Sequence, residues 1–395
     1  MAVMQIKPNI YSVGAIDWNR RLFDELIPIP EGTSYNSYVI KGAEKTALID
    51  AVDPSKESEL IANLQKLGIK KIDYLVSNHA EQDHSGAIPS ILKLYPDAKV
   101  VTNQKCKSML MDLLLIPDEK FIVIADGQAL SLGGKTLQFM LAPWVHWPET
   151  MFTCLPEDKI LFTCDFFGSH KATSELFTSI DYNIYDSAKR YYAEIMMPFR
   201  TQIQKHIEKV RELNPEIIAP SHGPLYKKPE FIINAYADWV SDNVKNTVLV
   251  PYVSMHGSTA KMVEYLVGAL MERGIAVKPF DLPKTDIGEL AISLVDAATV
   301  VFAAPTVLFG AHPGVVYAAY LANAIHPKVK FASIIGSYGW AGKTVEQIKG
   351  LLPNIKAEFL EPVVIKGFPK EENFKALDRL ADDILRKHGE IGIVK

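Results

Sequence analysis

The chain has 395 residues, of which 48% are hydrophobic and 22% charged, and its net charge at pH 7 is −4. This charge balance gives no indication of binding to nucleic acid or to an anionic membrane. The sequence has no apolar run of about 18 residues and no signal peptide, so we expect no membrane span. The three scattered cysteines form no disulfide framework, which favours a cytoplasmic location.

The first part of the chain, residues 1–243, mixes short strands with helices and many aromatic residues. Residues 35–51 are typical of two strands around a polar turn. Residues 55–69 carry leucine and isoleucine at helical spacing, which predicts a helix that ends at Gly68. Residues 70–79 then read as a further strand.

That strand leads directly into a cluster of metal-capable side chains. Four of them lie within six positions: His79, Glu81, Asp83 and His84. A solvated polar loop would be the simpler interpretation of any one of them, but four ligand types so close together favour a metal site. Three more candidates lie in polar turns after apolar runs: His146, Asp165 and His222. Taken alone, each of these would more often be structural, but together they strengthen the prediction.

From about residue 246 the sequence alternates regularly between strands and helices. The predicted strands are 247–253, 275–282, 298–306, 329–337 and 361–368. Five strands with intervening helices imply a parallel sheet that is covered on both faces. The polar stretch 238–246 reads as a linker, so we expect domains at 1–243 and 246–395.

Three loops in this second part can form a binding site. Residues 254–259 follow the first strand and open a helix, whose amides and hydroxyl groups suit a phosphate; a plain helix cap is the alternative. Residues 304–313 and 336–342 follow the third and fourth strands, at the edge where doubly wound sheets bind ligands. No triphosphate or dinucleotide motif is present. The candidate residues are Ser254, Met255, His256, Gly257, Ser258, Thr259, Pro305, Thr306, Val307, Leu308, Phe309, Gly310, Ser337, Tyr338, Gly339 and Trp340.

The motif H-x-E-x-D-H at 79–84, followed by His146, Asp165 and His222, resembles the metallo-β-lactamase-like domain of flavodiiron proteins. The three later loops resemble the FMN loops of flavodoxin-like domains, although His256 stands where a Thr or Tyr is usual. The resemblance therefore covers essentially the whole chain. It implies a metallo-β-lactamase-like αββα sandwich, followed by a flavodoxin-like doubly wound parallel sheet of five strands, with FMN and a di-iron centre as cofactors.

The resemblance also implies roles for individual residues. His79, Glu81 and His146 would bind one iron, Asp83, His84 and His222 the other, and Asp165 would bridge them. In some relatives the histidine that matches His84 turns away from the metal. Hydrolases of the superfamily carry a histidine where this chain has Glu81, and the added carboxylate favours iron over zinc. His170 and Tyr192 match positions that face the pocket and are catalytic candidates; ordinary polar packing is the alternative for both.

The implied activity is reduction of dioxygen to water, of nitric oxide to nitrous oxide, or of both. Electrons would pass from an external donor, a rubredoxin or a reduced deazaflavin, through FMN to the irons. One alternative is a zinc hydrolase with an appended flavin domain, in which a metal-bound hydroxide attacks the substrate. Another is an electron-carrying flavoprotein whose first domain is inactive.

The segment between the metal candidates and the flavin loops indicates how chains associate. Residues 229–243 read as an amphipathic helix between the last metal candidate and the first flavin loop. Such a helix would hold the flavin away from the metals of its own chain. We therefore expect a head-to-tail homodimer or a dimer of such dimers, an arrangement that the family resemblance also implies.

Overall fold

The computed structural model describes residues 3–178 and 184–394. These residues fall into two compact units. The first unit comprises the described residues up to Tyr192 together with Phe199–Val240, and the second comprises Ala193–Pro198 together with the described residues from Ser241 on. The sequence prediction placed residues 1–243 in the first domain, so it did not indicate that Ala193–Pro198 would group with the second unit.

The first unit is built from short strands and helices. Its strands are β1 (Met4–Lys7), β2 (Ile10–Ser12), β3 (Ala15–Asp17), β4 (Leu22–Phe23), β5 (Ile27–Pro28), β6 (Thr33–Tyr35), β7 (Tyr38–Lys41), β8 (Thr46–Ile49), β9 (Tyr74–Val76), β10 (Lys99–Thr102), β11 (Phe121–Val123), β12 (Ala129–Ser131), β13 (Thr136–Leu141), β14 (Met151–Leu155), β15 (Ile160–Cys164) and β16 (Ile217–Pro220). Its helices are α1 (Glu57–Lys66), α2 (Gln82–Ser85), α3 (Ile88–Leu94), α4 (Gln104–Leu114), α5 (Ile184–Tyr191), α6 (Arg200–Leu213) and α7 (Pro229–Val240).

Two sheets form a sandwich in this unit. One has the strand order β1-β2-β7-β8-β9-β10-β11 and the other the order β12-β13-β14-β15-β16. Side chains alternate between the faces of a strand, and β7 shows the consequence. Tyr38 and Ile40 join the core between the sheets, where Phe139 and Phe162 also lie. Val39 joins a second core beneath the helices α1, α3 and α4. The αββα layering predicted for this part is confirmed.

The second unit is a parallel sheet with helices. Its strands are β17 (Lys245–Tyr252), β18 (Ala276–Asp281), β19 (Ala297–Val307), β20 (Gly310–Ala311), β21 (Phe331–Tyr338), β22 (Glu358–Phe359) and β23 (Val363–Lys366). Its helices are α8 (Ser258–Glu272), α9 (Ile287–Leu294), α10 (Pro313–Ala324), α11 (Thr344–Gly350) and α12 (Glu371–Glu390). The order is β18-β17-β19-β21, with β22 and β23 both pairing with β21. The predicted flavodoxin-like sheet is confirmed.

Two details differ from the sequence prediction. The expected linker at 238–246 is much shorter, because α7 continues to Val240 and β17 already begins at Lys245. Trp239 and Val240 are buried, so the start of this stretch packs as part of the amphipathic helix predicted for residues 229–243, although most of the segment is polar. In addition, β20 forms a small antiparallel hairpin with the end of β19. Among the described residues, no helix is long and apolar enough to cross a membrane.

Candidate metal centre and flavin cavity

The cluster at 79–84 forms where the chain leaves β9 and starts the short helix α2. Asn78, just before the cluster, is held in place by Asp50. The buried Asp50 carboxylate accepts hydrogen bonds from the main-chain N and the Nδ2 of Asn78, both at 2.8 Å. Glu81 then occupies the position before the helix with extended backbone angles, and Asp83 and His84 lie within the helical turn. This change from extended to helical backbone directs neighbouring side chains towards one point.

The first ligand group surrounds one side of Asp165. Glu81 Oε2 lies 3.1 Å from His79 Nε2 and 3.2 Å from His146 Nε2. Asp165 Oδ2 lies 3.5 Å from the same atom of His79 and 3.3 Å from that of His146. Four possible ligand atoms therefore converge on one position.

The second ligand group surrounds the other oxygen of Asp165. Asp165 Oδ1 lies 2.9 Å from His84 Nε2 and 3.4 Å from His222 Nε2. The Asp83 carboxylate completes the group, with Oδ1 3.3 Å from His84 Nε2 and Oδ2 3.1 Å from His222 Nε2. Asp165 follows β15 directly and His222 follows the parallel neighbour β16, so both come from the same edge of the sheet. Asp165 thus offers one oxygen to each group.

The chemistry of the donor set fits two metal cations. Both oxygens of Asp83 and Oδ2 of Asp165 are buried without a hydrogen-bond partner among the described residues, and such burial is costly unless a cation compensates it. Burial lowers the pKa of His146 and of His222, but nearby carboxylates, Asp165 foremost, outweigh it. They raise the pKa of His146 to about 9 and that of His222 to about 10. The cluster therefore favours positive charge at its centre.

Outer contacts orient the ligands, and two of these residues were not predicted from the sequence. Glu149 Oε1 lies 2.6 Å from His79 Nδ1, and Tyr191 donates a hydrogen bond of 2.8 Å to Asp165 Oδ1. His222 Nδ1 lies 2.7 Å from the carbonyl oxygen of Ser34. The sequence pointed to Glu149 only in that it lies three positions after the candidate ligand His146.

The two catalytic candidates lie in different surroundings. His170 is buried beside the second ligand group, with its ring 5.0 Å from that of His222 and its Nδ1 3.0 Å from Thr33 Oγ1. Burial, reinforced by His222, keeps its pKa well below the usual range. Tyr192 does not reach the cluster, because its hydroxyl donates to the carbonyl oxygen of Trp239 at 3.3 Å. The neighbouring Tyr191 is the tyrosine that contacts a ligand, so the pocket-facing position predicted for Tyr192 is corrected by one residue.

A cavity of about 280 Å³ opens beside the ligands. Glu81 and Asp83 lie on its wall together with Trp147, whose ring stands edge-on to His79 at 4.9 Å. The hairpin β4–β5 supplies Phe23 to the same wall, and its ring packs against His170 at 5.0 Å. Aromatic groups therefore border the approach to the metal position.

The three predicted flavin loops meet in a cavity of about 190 Å³ in the second unit. Gly257, with a φ of +86°, turns the chain into α8 and has no side chain to cap it, but Ser254 Oγ accepts the main-chain N–H of Ala260 at 3.1 Å. The amides that precede Ala260 at the start of the helix are the ones available to an anion. The lining residues are Ser254, Met255, His256, Ser258, Thr259, Pro305, Thr306, Ser337, Tyr338, Gly339 and Gly367. Of these, Gly367 was not predicted.

A second cavity, of about 450 Å³, shares Thr306 and Tyr338 with the first and is also lined by Trp340. Five predicted residues, Gly257 and 307–310, line neither cavity. Leu308 and Phe309 instead form the turn between β19 and β20, with positive φ angles of 48° and 68°. Phe309 still packs edge-on against Trp340 at 4.5 Å, beside the cavity.

The fold and the two sites define a metallo-β-lactamase-like protein joined to a flavodoxin-like unit. A family profile described as "ODP family beta lactamase" matches residues 33–223. The chain is 38% identical to the nitric oxide reductase of Moorella thermoacetica, over 94% of this chain and 95% of that protein. It is 34% identical to the coenzyme F420H2 oxidase of Methanothermobacter marburgensis, over 80% of each chain.

Solved structures of similar proteins share this two-part fold. The rubredoxin oxygen:oxidoreductase of Desulfovibrio gigas superposes with a TM-score of 0.94 at 30% identity, covering 98% of each chain. The flavodiiron protein of Giardia intestinalis superposes with a TM-score of 0.92 at 28% identity, covering 98% of this chain and 97% of that one. The chain belongs to the flavodiiron proteins.

Proposed function

We propose that this flavodiiron oxidoreductase reduces dioxygen to water, nitric oxide to nitrous oxide, or both, with FMN and two irons as cofactors. The observation that carries the proposal is Asp165, which presents one carboxylate oxygen to each of two ligand groups. Relatives named nitric oxide reductase and rubredoxin-oxygen oxidoreductase support both gases as substrates. When bound, the irons and the flavin supply the electrons for the reduction.

We assign the ligands by the two groups. His79, Glu81 and His146 hold one iron, and Asp165 bridges it to the second. The other iron is held by the remaining three ligand candidates, Asp83, His84 and His222. Because His84 Nε2 points at Asp165 at 2.9 Å, its orientation supports a ligand role. Glu81, the carboxylate that replaces the histidine of the hydrolases, favours iron over zinc.

The protein's own side chains prepare this site for a small gas. Phe23 and Trp147 place aromatic rings on the wall of the cavity, next to the ligands. The hydroxyl of Tyr191 donates to the bridging carboxylate and fixes its orientation. His170 is held neutral by burial, with Nδ1 at Thr33 and with Nε2 lacking a partner among the described residues. Its Nε2 is open to a hydrogen bond with a small substrate close to the second ligand group, which supports a catalytic role.

In the second unit we assign the FMN phosphate to the start of α8. The amides at the start of the helix, beside Gly257, and the hydroxyls of Ser258 and Thr259 are suited to a dianion. The flavin ring would lie towards Tyr338 and Trp340, which line the adjoining cavity. His256 also lines the phosphate end, so it replaces the usual hydroxyl with an imidazole.

The electron donor is proposed from the relatives. One is named a rubredoxin-oxygen oxidoreductase and another a coenzyme F420H2 oxidase, so a rubredoxin or a reduced deazaflavin is the expected donor. We further propose the head-to-tail homodimer, alone or paired with a second dimer. A cytoplasmic location is supported by three buried cysteines that are all free.

The test is to express the chain with iron available and to measure metal, flavin and gas consumption together. We expect two irons and one FMN per chain, and consumption of dioxygen or nitric oxide when reduced rubredoxin or reduced deazaflavin is added. Two zincs with no iron, together with hydrolysis of an ester or lactam, would support the zinc hydrolase instead. Bound FMN with no metal and no gas consumption would support the electron carrier.

A further inference from the structure

We propose that Glu149 is a positioning residue that makes the two metal positions inequivalent, because its carboxylate binds the outer nitrogen of His79. This inference rests on the proposed function, in that it requires metals in both ligand groups. Glu149 lies outside those groups, and its side chain is completely buried. A buried carboxylate needs a compensating partner, and the one ring nitrogen that Glu149 contacts among the described residues belongs to a ligand histidine.

The geometry fixes which nitrogen of His79 carries the proton. Glu149 Oε1 lies 2.6 Å from His79 Nδ1 and also accepts the main-chain N–H of Ala80 at 3.0 Å. Nδ1 must therefore be the donor, and the lone pair is left on Nε2. This is the atom that faces Glu81 and Asp165 in the first ligand group. Glu149 thus presents His79 to a metal in the binding tautomer.

Glu149 is itself held in place from a third segment. The side chain of Asn103 donates through Nδ2 to the carbonyl oxygen of Glu149 at 2.6 Å. Its Oδ1 accepts from the main-chain N of Lys105 and of Cys106, so the same residue caps the start of α4. The main chain of Glu149 is therefore anchored to a helix end, while its carboxylate is held by His79 and Ala80.

The second ligand group has no matching carboxylate in the part of the chain described. His222 Nδ1 meets the neutral carbonyl oxygen of Ser34 at 2.7 Å, and His84 Nδ1 has no hydrogen-bond partner there. A hydrogen bond to an ionised acceptor is roughly twice as strong as one between neutral groups. It also raises the basicity of the ligand nitrogen. The metal held by His79 should consequently be bound more tightly and oxidised more readily than the metal held by His222.

The experiment replaces Glu149 by glutamine and titrates the metal-free, FMN-loaded protein with Co²⁺, following the visible absorption of the bound ion. The glutamine keeps the size of the side chain and an oxygen that can accept from His79 and Ala80, but it removes the charge. We expect two binding steps in the unmodified chain. In E149Q one step should weaken about 10–100-fold, as is usual for a carboxylate behind a histidine ligand, while the other stays unchanged.

A matched control is Thr33→Val, which removes a neutral hydroxyl 3.3 Å from the outer nitrogen of His222. We expect neither Co²⁺ step to change tenfold in this variant. In the iron-loaded proteins, E149Q should raise one of the two midpoint potentials and leave the other in place, and Thr33→Val should move neither. Far-UV circular dichroism and thermal unfolding of each metal-free variant report whether the first unit, which carries both substitutions, is folded.

The outcomes separate this inference from the proposed function. Equal weakening of both Co²⁺ steps in E149Q, or no weakening of either, would overturn the role of Glu149 while leaving gas reduction by the unmodified chain intact. If the unmodified chain binds a single Co²⁺ and holds a single iron, the proposed di-iron centre itself fails. Weakening of one step together with an unchanged potential would also overturn the inference, because a purely steric role predicts that result.

Discussion

At the scale of single residues, Asp165 combines the properties that a bridging ligand needs. It follows Cys164, whose positive φ of 49° ends β15 and turns the next side chain into the site. Its two oxygens face different histidines, at 3.3 Å on one side and 2.9 Å on the other. Burial alone would raise its pKa, but His84 and the other histidines hold the pKa well below the usual range. The carboxylate of Asp165 is therefore ionised.

The first prediction follows from this geometry. Asp165→Ala should lose both metals and gas reduction, because each ligand group loses one of its oxygens, while FMN remains bound in the second unit. The affinity should fall by more than the 10–100-fold typical of a residue outside the coordination sphere. Iron and flavin analysis of the purified variant checks this. Asp24→Asn is the control, since Asp24 lines the same cavity outside both ligand groups and its loss should leave two irons. Two retained irons in Asp165→Ala would refute the bridging assignment.

The second prediction compares two adjacent tyrosines. Tyr191→Phe removes a hydrogen bond to the bridging carboxylate, and such bonds to charged groups contribute about 1.5–3 kcal/mol. We expect iron to be removed more readily from this variant by a chelator, by roughly tenfold or more. Tyr192→Phe removes only a contact with the carbonyl oxygen of Trp239 and should leave iron release unchanged. If iron is released faster from Tyr192→Phe than from Tyr191→Phe, Tyr192 and not Tyr191 is the tyrosine that supports the metal site.

Residue types and spacing were sufficient to predict the metal cluster, because six positions carry four ligand-capable side chains. They did not reveal Glu149, whose partner His79 lies 70 residues away along the chain. Nor did they separate Tyr191 from Tyr192, since that choice depends on the rotational phase of a single helical turn. A long-range contact and a helix phase of this kind are set by packing and leave no local pattern.

At the scale of elements, α12 contains a buried titratable group that the proposed mechanism does not use. His388 is fully buried; its Nδ1 lies 2.7 Å from Asn246 Oδ1 and its Nε2 2.7 Å from Thr299 Oγ1. The ring of Phe331 packs beside it at 5.9 Å. Burial lowers the pKa of His388 to about 4. The neutral form is favoured because Nε2 can then accept a hydrogen bond from the hydroxyl of Thr299.

The third prediction concerns pH. Between the unfolded pKa of about 6.5 and the folded value of about 4, the unfolded chain binds a proton that the folded chain does not. The free energy of unfolding should therefore fall as pH falls through this interval, by about 2 kcal/mol from pH 7 to pH 5. Denaturant titrations at both pH values, followed by release of flavin fluorescence, measure this. His388→Gln should lose less stability over the same interval, because glutamine offers both hydrogen bonds without titrating. An equal loss in both proteins would contradict the prediction.

The regular elements of the second unit could be predicted from the sequence because its strands are continuous apolar runs separated by helical patterns. The hairpin β19–β20 could not, since the apolar Leu308 and Phe309 are not typical turn residues. The start of the predicted linker was also misplaced, because Trp239 is buried among aromatic rings that come from distant segments. The helix predicted over residues 229–243 is present as far as Val240, and only its last three, polar residues fall outside it.

At the scale of the whole molecule, each unit presents apolar side chains next to its own site. The hairpin beside the metal cavity exposes Leu22 and Leu26, and Leu113 on the wall of that cavity is also exposed. Around the flavin cavity, Leu308 is 94% and Trp340 71% exposed. Apolar groups gathered at a site are typical of surfaces that bind a partner. A two-fold dimer that places the flavin surface of one chain against the metal surface of the other would cover both sets.

The last prediction tests that arrangement by complementation. Asp165→Ala inactivates the metal site, and Gly257→Asp inactivates the flavin site, because it places a negative charge at the phosphate end of α8, where φ is +86°. Each variant alone should reduce no gas. After the subunits are mixed and allowed to exchange, a head-to-tail dimer restores one complete site, formed by the intact flavin of one variant and the intact metals of the other. We expect up to about a quarter of the unmodified activity if random exchange makes half of the dimers mixed, each with one working site of two. Mass spectrometry of differently tagged chains verifies exchange. If the subunits exchange and no activity returns, the flavin and the metals of a working site belong to the same chain, and the head-to-tail arrangement is wrong.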